Sequence, residues 1–95
     1  MTEKIFHLDI VSPQGVSFSG EASSLVVPAA LGYLGVLADH APLVACLTGG
    51  RIVFREGSGK TRVLSSGANG FLEVINNKAT VILDAGPDSG PRPAA

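Results

Sequence analysis

The sequence predicts an all-β fold, an antiparallel β-sandwich of about eight to ten short strands. Three observations predict it. Apolar residues recur at every second position rather than every third or fourth, the period of a half-buried strand. Clusters of Gly, Pro, Asn and Ser return roughly every ten residues, the turn spacing of a sandwich or barrel. No window of helical period runs beyond two turns.

Taken in order, Phe6, Leu8 and Ile10 share one strand face, with His7 and Asp9 on the other. Pro13 and Gly15 form a turn, and Val16 with Phe18 resumes the alternation, so a hairpin is expected. Residues 22–27 are rich in Leu and Val and stop at Pro28, which has no N–H for a ladder and marks an edge or an end. Residues 30–42 are broken by Gly32, Gly35 and Pro42, with room for a brief winding at 29–31. A short apolar run over 43–47 leads through Thr48-Gly49-Gly50 into 51–55, where Ile52 and Phe54 alternate with charge. Residues 56–60 read as a hairpin tip, Val63 and Leu64 as its return strand, and 65–70 as a loose connection. Residues 71–75 and 79–83 flank Asn76-Asn77-Lys78, where asparagine tolerates the positive φ of a tight turn. Phe18, Phe54 and Phe71 are assigned to buried phases, and Cys46 to the core as a small hydrophobe.

A chain of 95 residues supports one hydrophobic core, so a single domain is expected over 1–85. The stretch 86–95, with Pro87, Pro91 and Pro93, reads as a flexible tail. The hydrophobic fraction of 45% is too high for disorder, and Gly and Pro interrupt it too often for a membrane span. A net charge of -1 gives no reason to attract nucleic acid or anionic lipid. One cysteine excludes an internal disulfide. The N-terminus, with Glu3 and Lys4, lacks the flanks of a signal peptide, and cytoplasmic residence is expected.

Chemical motifs are weak. Gly59-Lys60-Thr61 resembles the end of a phosphate-binding loop, but Phe54 stands where the first glycine belongs and no helix follows. Asp39-His40 suggests acid-base chemistry, yet neighbours on an extended chain point apart. His7, His40 and Cys46 have no zinc-site spacing. Catalytic, cofactor and metal residues are therefore all expected to be absent. The segment 32–37 places an aromatic and several aliphatics among glycines, and is either a compact loop on the core or a contact surface.

Three blocks in order, Phe6-His7-Leu8-Asp9-Ile10-Val11-Ser12-Pro13, the run 32–43 ending His40-Ala41-Pro42-Leu43, and Gly70-Phe71-Leu72-Glu73-Val74 through 79–83, resemble the epsilon subunit of bacterial ATP synthase. The resemblance covers roughly residues 5–85 and implies a flattened sandwich of about ten strands. It further implies a non-catalytic rotor subunit of the central stalk, bound to gamma and resting on the c-ring, that couples proton or sodium flow to ATP synthesis. Such a subunit lies peripherally on the cytoplasmic face of the bacterial inner membrane. The ring-facing loop maps onto 29–37, giving Gly32, Tyr33, Leu34 and Gly35 as contact residues, with His40, Ala41 and Pro42 beside them. Tyr33 stands where the family often has an acidic or polar residue, Asp39 where it often has glycine, and 65–70 is longer than the usual turn. In the family two C-terminal helices follow the sandwich and brake hydrolysis; the proline-bearing stretch 86–95 is expected to form no such helix. The competing expectations are a free-standing interaction module with another partner, and a small hydrolase using His40 with Asp39.

Overall fold

The structure, a computed structural model, describes residues 4–86. Eight strands follow one another, β1 (Phe6–Ser12), β2 (Gly15–Ala29), β3 (Gly32–Leu37), β4 (Leu43–Leu47), β5 (Gly50–Glu56), β6 (Thr61–Ser66), β7 (Gly70–Ile75) and β8 (Lys78–Leu83). The described residues contain no helix. The expected all-β class and strand number hold, and the expected tail lies outside the described residues from 87 onward.

Strand β2 organises the sandwich because it belongs to both layers. Its first half pairs with β1 from Ser12↔Gly15 to Phe6↔Ala22, and its second half pairs with β3 on one side and β5 on the other. One layer therefore holds β4, β7, β8, β1 and the start of β2, with β1 and β8 parallel; the other holds β3, the end of β2, β5 and β6. The crossing lies at Ala22 and Ser23, two successive buried residues that break the period of two, where the β2–β5 register shifts. Thr48 N–H donates to the Pro28 carbonyl at 2.8 Å and Ala30 N–H to the Cys46 carbonyl at 3.1 Å, joining β4 to the hairpin of β2 and β3.

Between the layers sit Leu8, Ile10, Leu25, Ile52, Phe54, Leu72 and Val81, with Phe18 half-buried against Phe54 at a ring-centroid distance of 4.6 Å. The outer faces explain three corrections. Phe71 is 53% exposed rather than buried, because Leu72 and Val74 take the inward phase and Phe71 shares the outward one with Glu73. Cys46 is exposed, since Leu47 turns inward and the β4 alternation puts Val44 and Cys46 outside. Segment 32–37 is a strand rather than a compact loop: β3 closes a regular hairpin on β2, and its glycines sit at Gly32↔Ala29 and Gly35↔Val26.

The turns follow residue chemistry. Asn76 and Asn77 take φ of 50° and 59°, as a two-residue hairpin between right-twisted strands requires. At 56–60 the Glu56 N–H donates to the Lys60 carbonyl at 2.8 Å, closing the β5–β6 tip. Asp39 adopts φ 61°, a conformation glycine enters freely, which gives a backbone reason for the glycine common there in the family resembled.

Candidate partner-binding surface

The β2–β3 hairpin turns at Ala30 and Leu31, neither of which has positive φ, and Gly32 takes the unusual torsion at φ 125°. Leu31 stands at the apex with its full side chain in solvent, 103% exposed. Tyr33 is exposed along its ring, but its hydroxyl reaches β5 and accepts the Arg51 N–H at 3.3 Å. Gly50 makes room beneath it: an added Cβ would meet Pro28 Cβ at 2.8 Å and the Tyr33 hydroxyl at 3.0 Å. Leu34 turns inward and packs on the core, while Gly35 is exposed.

Across from this hairpin runs the edge of β4, and the two enclose an open groove of about 480 Å³ lined by Leu31, Tyr33, Leu34, Val44, Ala45 and Cys46. No residue from 22 to 38 or from 41 to 50 is charged. The expected contact residues divide. Gly32, Tyr33 and Leu34 lie at this groove, whereas His40, Ala41 and Pro42 lie past the far end of β3, which is roughly 20 Å from the apex at ~3.3 Å per residue. There His40 Nδ1–H donates to the Ala41 carbonyl at 2.7 Å, and the Asp39 N–H donates to Asn77 Oδ1 at 2.8 Å. Asp39 faces Lys4 at 3.7 Å rather than His40.

A second surface covers the outside of β4, β7, β8 and β1. The registers Cys46↔Phe71, Phe71↔Ile82 and Ile82↔Val11 set those four side chains in one row, with Val44 72% exposed beside it. Next to that row is a polar cluster on Asp9, which accepts Ser19 Oγ–H at 2.7 Å and His7 Nε2–H at 2.8 Å, with Lys78 Nζ at 3.6 Å. The Ser19 hydrogen bond foremost, joined by that of His7 and the nearby positive charge of Lys78, holds the Asp9 carboxyl below its ordinary value against the opposing effect of burial.

Among the described residues no three His, Cys, Asp or Glu side chains gather in a way that could hold a metal ion, and no helix is long and apolar enough to cross a membrane. Sequence reasoning included Leu31 in the ring-facing loop 29–37 without singling it out, and missed Val44 and Cys46 as surface features. For Leu31 the signal was an aliphatic in a two-residue turn without Asn, Asp or Gly; in the uniformly apolar run 43–47 nothing marks the outward phase.

The sequence over residues 5–86 matches the family described as ATP synthase, Delta/Epsilon chain, beta-sandwich domain. The chain belongs to that family. The ATP synthase epsilon chain of Leptospira interrogans is 37% identical over 86 residues, covering 90% of this chain and 66% of that protein. The epsilon chain of Desulforamulus reducens is 43% identical over 81 residues, covering 85% and 60%. That of Rhodopseudomonas palustris is 40% identical over 79 residues, covering 83% and 57%. The chain thus spans about three fifths of the length of the relatives it matches. In the Euglena gracilis mitochondrial ATP synthase (OSCP, F1 and c-ring) a chain superposes with a TM-score of 0.77 at 20% identity, covering 87% of this chain and 53% of its own length. One in the Tetrahymena thermophila central stalk and c-ring gives 0.67 at 13%, covering 88% and 66%. At those identities the two structures establish a shared fold.

Proposed function

We propose that the chain is a non-catalytic stalk module of a rotary ATP synthase, holding gamma to the c-ring so that ion flow through the ring drives ATP synthesis. The observation that carries this is the family match over 5–86, which takes in the whole sandwich, together with relatives at 37–43% identity that are all epsilon chains. The surfaces suit the role. The outer row Cys46, Phe71, Ile82 and Val11 is a continuous apolar strip of the kind a partner protein covers, and is assigned to gamma. The uncharged hairpin, with Gly32, Tyr33, Leu34 and Gly35 and with Leu31 at its apex, is assigned to the ring. His40, Ala41 and Pro42 form a separate patch at the other end of β3, so any ring contact there is a second one. The module works peripherally, at the cytoplasmic face of a bacterial inner membrane, without cofactor or metal of its own.

Co-purification tests the reading. Tagged chain should bring down gamma and the c-ring from the assembled enzyme. Capture of neither would leave a free-standing interaction module as the better description.

A further inference from the structure

Glu73 stands in the middle of the outer face of β7. The registers Val44↔Glu73 and Glu73↔Thr80 set Val44 on one side of it and Thr80 on the other, while Phe71 and Ile75 precede and follow it on the same face. Val44, Phe71 and Ile75 are all exposed, so the carboxylate projects from an apolar field. Among the described residues no ion pair or hydrogen bond reaches it. The cations lie elsewhere. Arg51, Arg55, Lys60 and Arg62 belong to the β5–β6 hairpin of the other layer, Lys4 pairs with Asp39 at 3.7 Å, and Lys78 directs its ammonium to Asp9 at 3.6 Å.

Inside the fold, the chain shows how such a carboxylate is satisfied beside an aromatic ring. The register Phe54↔Arg62 puts Arg62 on the inward face of β6. There its guanidinium pairs with Glu56 at 3.1 Å and lies 6.0 Å from the Phe18 ring centroid and 5.8 Å from that of Phe54. A guanidinium is planar and weakly hydrated, so it lies against a ring while its N–H edge grips carboxylate oxygens. Glu73 and Phe71 present the carboxylate and the ring of the same trio, about 7 Å apart along one strand face.

We propose that Glu73 and Phe71 form an arginine clamp, which takes one guanidinium of the gamma subunit when gamma covers the outer row. The inference rests on the assignment of that row to gamma and specifies the chemistry of the contact. A partner that buries Val44, Phe71 and Ile75 also strips water from the carboxylate between them, and without a counter-charge that carboxylate opposes the burial. An acidic or uncharged contact surface is excluded on the same ground. Arginine fits better than lysine, because a guanidinium has less hydration to lose and matches two carboxylate oxygens and a ring face at once.

Glu73→Gln keeps the shape of the side chain and removes its charge. Since Glu73 is exposed and bonds to no described residue, the thermal midpoint should stay in place. Affinity of the full chain for purified gamma should fall about thirtyfold or more, as when one partner of a buried charge pair is truncated. Glu73→Leu should weaken binding as well, although it adds apolar surface, because it too leaves the guanidinium unpaired. Treating gamma with an arginine-selective dicarbonyl reagent before mixing should remove the difference between wild type and Glu73→Gln, whereas acetylating its lysines should preserve it. Equal affinity of wild type and Glu73→Gln, or tighter binding by Glu73→Leu, would overturn the clamp while leaving the row assigned to gamma. A difference abolished by lysine acetylation alone would overturn the choice of arginine. Should Arg92→Ala in this chain reproduce the loss, the guanidinium is the chain's own and the partner assignment falls. Wild-type chain that fails to bind gamma removes the surface assignment itself, and this inference with it.

Discussion

The side chains that decide this molecule are those whose phase relative to the core is fixed by one neighbour. Phe54 alternates with Arg55 and Val53 and is completely buried, touching Phe18 and lying beneath Arg62. Phe54→Ala should cost on the order of 3–5 kcal/mol, a large part of a small domain's stability. Phe71 is half in solvent, so Phe71→Ala should cost roughly 1 kcal/mol or less, and urea midpoints of the two variants would separate them. Equal midpoints would show that the two rings are buried alike. The sequence contained the discriminating residue. In Phe71-Leu72-Glu73-Val74-Ile75 an unpaired carboxylate cannot face the core, so Glu73 commits Phe71 and Ile75 to the outside, but aromatic character outweighed that in the reading from sequence. Asp9 is the residue whose charge matters to folding. Its carboxyl is held below the ordinary value of 3.8, so the folded state binds its proton less readily than the unfolded chain does. That stability is present above the ordinary value and is lost as pH falls through the depressed one. Asp9→Asn should therefore flatten the acid limb of the stability profile below about pH 4, while Ser19→Ala should move it part of the way. An acid limb unchanged in both variants would remove Asp9 from that role.

At the scale of elements, strands bounded by unambiguous turn chemistry were legible, and those bounded by glycines were not. The β5–β6 tip and the Asn76-Asn77 turn follow from residue type alone. Strand β3 did not, because Gly32 and Gly35 read as loop residues in isolation; pairing with β2 supplies the order that propensity does not. Likewise β2 reads as two segments divided near Gly20, whereas one strand of 15 residues bends from layer to layer at Ser23. Gly70 is a glycine whose necessity only the packed structure shows. An added Cβ would collide with the Ile82 carbonyl oxygen and lie 3.0 Å from Leu83 Cα, and these are backbone atoms of a paired strand that cannot swing aside. Gly70→Ala should cost more than 2 kcal/mol, in the range of overpacked cores, and lower the thermal midpoint by about ten degrees or more. Gly67→Ala, in open space on the same connection, should leave the midpoint nearly unchanged. If both alanine variants melted together, β7 and β8 would not be in contact at Gly70.

On the scale of the whole molecule, the sequence indicated a hairpin surface near Tyr33 but could not divide it into parts that hold the fold and parts that are free to hold something else. The structure makes that division at adjacent positions. Tyr33 accepts the Arg51 N–H and covers Gly50 and Pro28, so Tyr33→Ala should lower both stability and partner affinity, and its effect on binding alone cannot be read. Leu31 contacts nothing it could lose. With its side chain wholly in solvent, Leu31→Ser exchanges one hydrated group for another, and the thermal midpoint should shift by less than about two degrees. If the hairpin docks on the ring as proposed, the same leucine leaves water only in the assembled rotor. Full burial of a leucine side chain is worth roughly 1.5–3 kcal/mol, so affinity of the folded variant for the ring should fall by about 10-fold to 150-fold. Double substitution with Tyr33→Ala should then cost less than the two binding losses summed, because the two side chains line one groove and would share a partner. Affinity measured on isolated c-ring and on isolated gamma assigns the loss to one partner. Loss on gamma alone would exchange the two surface assignments, and an unchanged affinity for both would leave Leu31 outside the interface.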